Sequence, residues 1–467
     1  MKLPDVWSRA RAEFDDVNLV SFAGLAPLLA LAERAGLSQL IGERVRIDPA
    51  ATKVKSAGVN PAGKLTSIIA GMACGADCID DLDAVRSGGM KRLFGGVYAA
   101  TTLGQFLREL THGHTMQLGS VLRAHLVNLR QHSDLLPGLE QRALIDIDSL
   151  LRPVFGHAKQ GASYGHTKIA GKQVLRKGLS PLVTTISTKA GAPVIAGIRL
   201  RAGKAGSGKG AASMVSEAIR TARAAGAAGE ILVRGDSAYG SAAVVNACLK
   251  AGVMFSVVLA KNPAVVAAIA KIPDDAWTPV RYPGAVIDPD TGELISDAEV
   301  AEIQHTAFAS GTGKHAVTAR LIVRRVRDRA KTEELFPVWR CHPFFTDNTE
   351  DTAQADITHR QHAIIETVFS DVIDGPLAHM PSGQFASNGA WAICAAIMHN
   401  LLRAAGTLAS DRHAVARGAT LRRHLVAVPA RLARPQRRPV LHLPEHWPWH
   451  EAWQRLWASV ADPPEAA

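Results

Sequence analysis

The sequence predicts an α/β protein flanked by helical units, and three observations carry that prediction. Between residues 139 and 262, short apolar runs with acids at alternate positions, as in ALIDIDSLL, take turns with segments of three- and four-residue apolar spacing, as in ASMVSEAIRTARAAGAAG. The residues before this stretch show helical spacing alone, and those after it turn β-rich and then helical again. At 467 residues the chain exceeds one ordinary domain, so about three structural units are expected. With 47% hydrophobic and 20% charged residues it can bury a large core and is not disordered as a whole.

The elements follow in order. FAGLAPLLALAERAGL, TLGQFLRELTHG and GSVLRAHLVNLR each repeat apolar residues at helical spacing, and DLLPGLE closes this all-α first domain, residues 1–138. ALIDIDSLL then reads as a strand with one face buried and with Asp146 and Asp148 on the other. LSPLVTTIST and PVIAGIRLR are antiparallel strands, a helix leads into EILVRGDSA, and the helix AAVVNACLKAG precedes the strand VMFSVVLA. Residues 263–351 hold the turn VIDPDTGE and the β-rich pieces ARLIVRRVR and VWRCHPFFTD, read as a strand-rich insertion. Helical spacing resumes over residues 352–408 in DITHRQHAIIETVFSDVI and NGAWAICAAIMHNLLRAAG, where Trp391 is expected in the core. Three strands, helix, strand, helix, strand and a late helix is the element order of an RNase H-like core. The expected architecture is therefore that core, first part 139–262, with a β-rich insertion, behind a helical domain and ahead of a helical, basic segment 409–467.

Charge narrows the partner. Lys plus Arg number 53 against 42 for Asp plus Glu, a net charge of +11 with pI near 9.6, which favours a polyanion, nucleic acid first. From Arg403 onward the tail carries Arg412, Arg417, Arg422, Arg423, Arg431, Arg434, Arg437 and Arg438 against Asp411, either a solvated flank or a phosphate-contacting segment. Five cysteines without a Cys-x-x-Cys pair argue against disulfides and zinc ribbons and for a reducing cytoplasm. MKLPDVWSRARAEFDD has acids where a signal peptide needs an apolar stretch, and no apolar run is expected to approach the ~18 residues of a membrane span.

The acids carry the chemistry. Asp148 lies on the first strand, Asp236 ends the fourth, which in an RNase H-like fold pairs beside the first, and Glu366 lies on the late helix. Carboxylates brought together in this way hold divalent cations, and two metals ~3.5 to 4 Å apart activate a water or a 3′-hydroxyl and stabilise the leaving oxygen of a phosphodiester. Oxygen ligands suit Mg²⁺, where His or Cys clusters would point to zinc. Arg234-Gly235-Asp236, read alone, is a cell-adhesion tripeptide; read as a strand end, it aims Asp236 into a cleft, with Gly235 allowing close backbone approach and Arg234 on the same face.

At these residues the chain resembles bacterial insertion-sequence transposases of the DDE type, in the group with a β-strand insertion between the second Asp and the Glu. The resemblance rests on GMACGADCIDDLDAVRSGGMKRLFGG and TTLGQFLRELTHGH near the start, on DIDS, KQGASYGHTK and RGDSAYGS in the core, and on HRQHAIIE, GPLAHMPSGQFASNGAW and LHLPEHWPW beyond it. It implies that Asp148, Asp236 and Glu366 are the catalytic, metal-holding acids, with two Mg²⁺, or Mn²⁺ in their place, and no ATP. It implies double-stranded DNA partners, the terminal inverted repeats and the target, with a dimer in the synaptic complex and no membrane. Asp146 shares the face of Asp148 and is either a supporting acid or the true ligand. Related groups carry Tyr, Arg and Lys around the Glu, where this chain has His359, His362 and Ile373; the two histidines, on one helical face with Glu366, are candidates to contact the scissile strand. A zinc set of His359, His362 and Glu366 competes with that reading, although zinc proteases carry His-Glu-x-x-His. The first domain is implied to recognise the DNA ends.

Other features are weaker. GKAGSGKGAAS nearly fits a P-loop, but Gly210 stands where the magnesium-binding Ser or Thr is needed, so Lys204 and Lys209 read as loop cations near DNA or as solvated lysines. Trp277 and Trp339 are either core or, by the resemblance, a platform for a flipped base. Two alternatives stay open: a metal-dependent nuclease on the same core, and a DNA-binding descendant without catalysis.

Overall fold

The computed structural model describes residues 10–461 apart from 49, 51, 157, 170–171, 207, 281–286, 288, 291, 293–297, 310–314, 328–337 and 435–437. Helices α1 (Leu25–Arg34), α2 (Leu37–Arg44), α3 (Pro61–Ala73), α4 (Ala100–Glu109) and α5 (His112–His132) build the N-terminal part. Their starts are set locally. Pro61 occupies the first turn of α3 behind Asn60, whose side chain accepts from Gly63 N, and Thr111 and His114 cap α5 reciprocally.

The centre is a mixed sheet. Strands β1 (Arg142–Ser149), β2 (Leu182–Ser187), β3 (Val194–Arg199), β4 (Glu230–Gly235) and β5 (Met254–Val258) are joined in part by helices α6 (Ala211–Ala224) and α7 (Ala242–Ala251). Strand β4 lies between β1 and β5, parallel to both, while β2 pairs antiparallel with β1 and β3 with β2. Parallel β1, β4 and β5 are buried over most of their length, as strands covered on both faces must be. Strands β6 (Ala298–Ala307), β7 (Val317–Arg327) and β8 (Trp339–Thr346) continue the same sheet, because β8 pairs antiparallel with β5 from Phe344 opposite Val258 to Thr346 opposite Ser256. With Thr278–Pro279 at the edge, the order is Thr278–Pro279, β6, β7, β8, β5, β4, β1, β2, β3.

Helices α8 (Thr352–Arg360) and α9 (Ile365–Ile373) are separated by a 3₁₀ turn, Gln361–Ile364, and α10 (Phe385–Ala409) runs through the core against α5 and β3. Trp391 is fully buried on α10 and donates its indole N–H to Pro376 O at 2.6 Å. The expectation that no apolar run nears membrane-spanning length is corrected here: α10 is long and apolar enough to cross a bilayer, yet most of it is enclosed by protein, as for the central helix of a core. Its Asn400 replaces a missing strand at the sheet edge, accepting from Ile195 N at 2.7 Å and donating to Ile195 O at 2.8 Å beside a register shift in the β2–β3 pairing.

Two features depart from the sequence reading. A hairpin of Ser163–Ile169 and Lys172–Leu179, joined by Arg152–Pro153, forms a separate small sheet; it lacks an apolar alternation that would announce it. The first unit is also not wholly helical, nor is the last. Leu19–Val20 pairs antiparallel with Ala430–Ala433, which pairs with Val440–His442, ahead of the closing helix α11 (His450–Val460). Two residues of strand are too short for periodicity to mark.

Candidate active site

Adjacent parallel strands place the first two acids. Asp146 is in register with Arg234 and Ile147 with Gly235, so Asp148 and Asp236 stand one step further along at neighbouring strand ends. Asp148 Oδ1 accepts from Ser149 N at 2.6 Å and Asp236 Oδ1 from Ala238 N at 2.9 Å, a turn that fixes the second carboxylate as the chain leaves β4. Glu366 lies exposed in the first turn of α9, whose inner face packs towards β1. Asp148 feels both other acids, although the three do not lie within 4.8 Å of one another: burial first, and then the charges of Asp236 and Glu366, push its carboxyl up to about 7, against the hydrogen bond from Ser149. Such a set is short of positive charge. All-oxygen donors with one carboxyl held near neutrality fit a divalent cation, which would favour the ionised form of each.

Asp146 has a different setting. Its two oxygens accept from Arg234 Nε and Nη2, each at 2.8 Å, while Arg234 Nη1 donates to Thr358 O at 2.7 Å, and neither side chain of the ion pair is exposed. The pair ties β1 to β4 and both to α8. Arg234 is therefore closed to solvent, which removes the adhesion reading of Arg234-Gly235-Asp236 and any contact of Arg234 with DNA. Gly235 suits the close approach here, since a Cβ on it would meet Tyr239 Cβ at 3.0 Å and Ile147 Cγ2 at 3.2 Å and those neighbours would have to give way.

The histidines separate as well. His359 is buried, its ring stacked on Phe344 with centroids 4.2 Å apart and its Nδ1 2.8 Å from Ser256 Oγ. Burial holds its pKa down to about 3, so it is neutral. His362 is half-buried, with Nδ1 lacking a partner among the described residues; burial lowers its pKa while the charges of Asp146, Asp236 and Glu366 oppose the shift. The expectation that His359, His362 and Glu366 share one helical face is corrected by the 3₁₀ turn, which rotates three residues per turn instead of 3.6 and leaves His359 inside and Glu366 outside. Of the two, only His362 adjoins the acids, and no zinc set forms with His359. Among the described residues, Asp77, Cys78 and Asp81 on the N-terminal part are the set whose ligand atoms lie within 4.8 Å of one another.

Two neighbours of Asp148 escaped the sequence reading. Tyr239 is fully buried beneath Gly235, with Ser149 and Arg201 around its hydroxyl and no well-formed hydrogen bond to it. Arg201, also buried, donates to Ser180 O at 3.3 Å, to Ser180 Oγ at 3.2 Å and to Lys209 O at 3.2 Å, anchoring the glycine-rich loop beside the acids. Nothing marks Arg201 in the sequence, because its burial depends on that loop folding around it.

The loop's Lys204 and Lys209 are exposed. In the tail, Arg403 and Arg417 both bind Asp371, and Arg422 is half-buried, donating to Asp374 O at 3.2 Å, so these arginines are partly occupied with structure. Arg423 is exposed and lies 5.8 Å from the Trp449 ring; Arg434 and Arg438 are exposed, Arg434 donating to Arg92 O at 3.2 Å; Arg437 lies outside the described residues. Trp277 and Trp339 are half-buried and clasp the Arg325 guanidinium between them, 4.2 and 4.4 Å from the ring centroids, with Glu299 bonded to Arg325 Nε at 2.5 Å. One face of each indole is thus taken by a cation.

Against protein-family models, residues 5–464 match the transposase DDE domain, group 1. No curated protein matches the chain.

Proposed function

Because this chain belongs to the transposase DDE domain family, a family that acts on DNA, we propose that it is a cut-and-paste transposase: it binds the terminal inverted repeats of its own insertion sequence, cleaves at their boundaries and joins the freed 3′-hydroxyls to target DNA. The observation that supports the reading is the parallel register of β1 and β4, which sets Asp148 and Asp236 at neighbouring strand ends, with Glu366 on α9 near enough for its charge to act on Asp148. On this reading the core is RNase H-like, in keeping with the strand order β3, β2, β1, β4, β5 and the directions of its pairs.

Asp148, Asp236 and Glu366 would hold two Mg²⁺, or Mn²⁺, which supply a nucleophile at neutral pH and stabilise charge on the departing oxygen. The chain's own residues set the geometry. The Arg234–Asp146 pair locks β1 against β4 and so fixes the spacing of the two aspartates; both oxygens of Asp146 are engaged, which supports Asp148 as the one that would hold metal. Ser149 N and Ala238 N orient the carboxylates. His362 stands beside the acids, where its imidazole can donate to a phosphate oxygen. Lys204, Lys209, Arg423, Arg434 and Arg438 offer exposed cations to the DNA backbone. Two such subunits would hold two ends in a synaptic dimer.

The test is cleavage by the purified protein, with Mg²⁺ or Mn²⁺, of linear DNA carrying the element's own flanking repeats, with Asp236→Ala as control. Cleavage at the repeat boundary that disappears in the variant is the expected result, and joined products distinguish a transposase from a nuclease. Specific binding with no cleavage would instead identify a DNA-binding descendant without catalysis.

A further inference from the structure

Tyr239 has no part in the proposed reaction, yet it is tied to both strand-end aspartates. Its main chain closes the turn that presents Asp236: Tyr239 N donates to Asp236 O at 3.0 Å, inside the same turn in which Ala238 N donates to Asp236 Oδ1 at 2.9 Å. Its side chain runs the other way. The ring is fully buried under Gly235, with Cδ2 3.5 Å from where a Cβ on that glycine would stand. The hydroxyl ends beside Ser149 and Arg201, where the charges of Asp148, Arg201 and Asp236 all act on it.

That hydroxyl is an orphan, buried and without a well-formed hydrogen bond. Protein interiors keep nearly all such atoms bonded, so an exception needs a reason. Packing supplies none, because phenylalanine would fill the same space and leave nothing unpaired. Arg201 supplies none either, since a guanidinium only donates; it is bonded to Ser180 O at 3.3 Å, Ser180 Oγ at 3.2 Å and Lys209 O at 3.2 Å. The proton of the hydroxyl is thus left for an acceptor. Asp148 offers one: its Oδ1 already takes Ser149 N at 2.6 Å, on the side from which Tyr239 approaches Ser149. Donors placed behind a carboxylate that holds a metal fix its orientation and strengthen its hold.

We infer that Tyr239 is a positioning residue for the acid set: its hydroxyl donates to the Asp148 carboxylate from the protein side when that carboxylate holds a divalent cation. The inference rests on the reading of Asp148, Asp236 and Glu366 as metal-holding acids and deepens it. One residue then governs both strand ends, Asp236 through the main-chain turn and Asp148 through the side chain. Without metal the hydroxyl is an unsatisfied group that the fold tolerates; with metal it has its partner.

The experiment uses the full chain without DNA and Mn²⁺ as the probe, with affinity read from the electron paramagnetic resonance of the free ion and unfolding midpoints measured in chelator. The wild type is compared with Tyr239→Phe, with Asp236→Ala, and with Tyr164→Phe, an exposed tyrosine on the small hairpin. In chelator, Tyr239→Phe is expected to unfold at the wild-type midpoint or above it, since no bond is lost. It is expected to bind Mn²⁺ about 10-fold more weakly, as when a supporting donor of a metal ligand is removed, while Tyr164→Phe matches the wild type in both measurements. Wild-type Mn²⁺ affinity in Tyr239→Phe overturns the inference; so does a lower midpoint in chelator, which makes the hydroxyl a structural group. If Asp236→Ala loses binding while Tyr239→Phe keeps it, the inference alone falls. If Asp236→Ala binds as tightly as the wild type, or the wild type binds no Mn²⁺, the metal-holding reading of the acids falls and takes the inference with it.

Discussion

Asp146 and Asp148 are two residues apart on one strand, and the structure gives them opposite tasks. Asp146 is fully enclosed with Arg234, and removing one partner of such a pair strands a buried charge. Asp146→Ala is expected to lower unfolding stability by about 3 to 5 kcal/mol, read from urea midpoints, and to lose activity through misplacement of β1 against β4. Asp148 behaves in the reverse way. Its folded pKa of about 7 lies above the ordinary carboxylate range, so the protonated form favours folding, and that contribution, complete at low pH, is lost as pH rises through about 7. In the absence of metal, Asp148→Asn is therefore expected to raise the unfolding midpoint at pH 8, to raise it by less at pH 5, and to abolish metal-dependent cleavage; a variant less stable at pH 8 would refute this account. A strand with acids at alternate positions made both residues visible in the sequence, yet nothing local could separate them. The separating partner is Arg234, 88 positions away.

At the scale of elements, the legible parts were those whose apolar pattern answers to a single partner. Runs such as EILVRGDSA and VMFSVVLA are covered on both faces and read directly as strands, and the helices of the N-terminal part show their buried stripe. The hairpin Ser163–Leu179 lacks an apolar stripe, and its place depends on backbone approach: a Cβ on Gly165 would come 2.4 Å from Gly203 O, a pairing of segments that no periodicity encodes. The strands of the 263–351 stretch could be read as strands but not as members of the central sheet, since β8 joins β5 through hydrogen bonds available to any sequence. Asn400 is a further case of a polar residue inside an apolar helix whose purpose lies in another element. Asn400→Leu leaves the Ile195 amide and carbonyl unpaired in the core and is expected to cost about 1 to 3 kcal/mol for each group, measured by chemical denaturation, with hydrogen exchange at β3 rising first.

Across the whole molecule, buried imidazoles weaken stability towards acid, and His125, His359 and His399 are three of them. Burial holds His125 and His399 down to about 4 and His359 to about 3, so all three are neutral when folded. The unfolded chain takes up protons at these sites below about pH 6.5 and the folded one does not; their contribution is present in full above that value and is lost as pH falls towards 4. Urea midpoints are expected to drop between pH 7.5 and pH 5, and His125→Leu, which removes one of the three, is expected to show a smaller drop than the wild type.

The ladder between Leu19–Val20 and Ala430–Ala433 joins residues roughly 400 positions apart. At about 5 to 20 residues per second, a ribosome delivers the second strand some 20 to 80 s after the first, and for all that time the early segment has an unsatisfied edge and an uncovered valine. A message cut short after Ala409 would still encode Asp148, Asp236 and Glu366, but its product could never close this clasp.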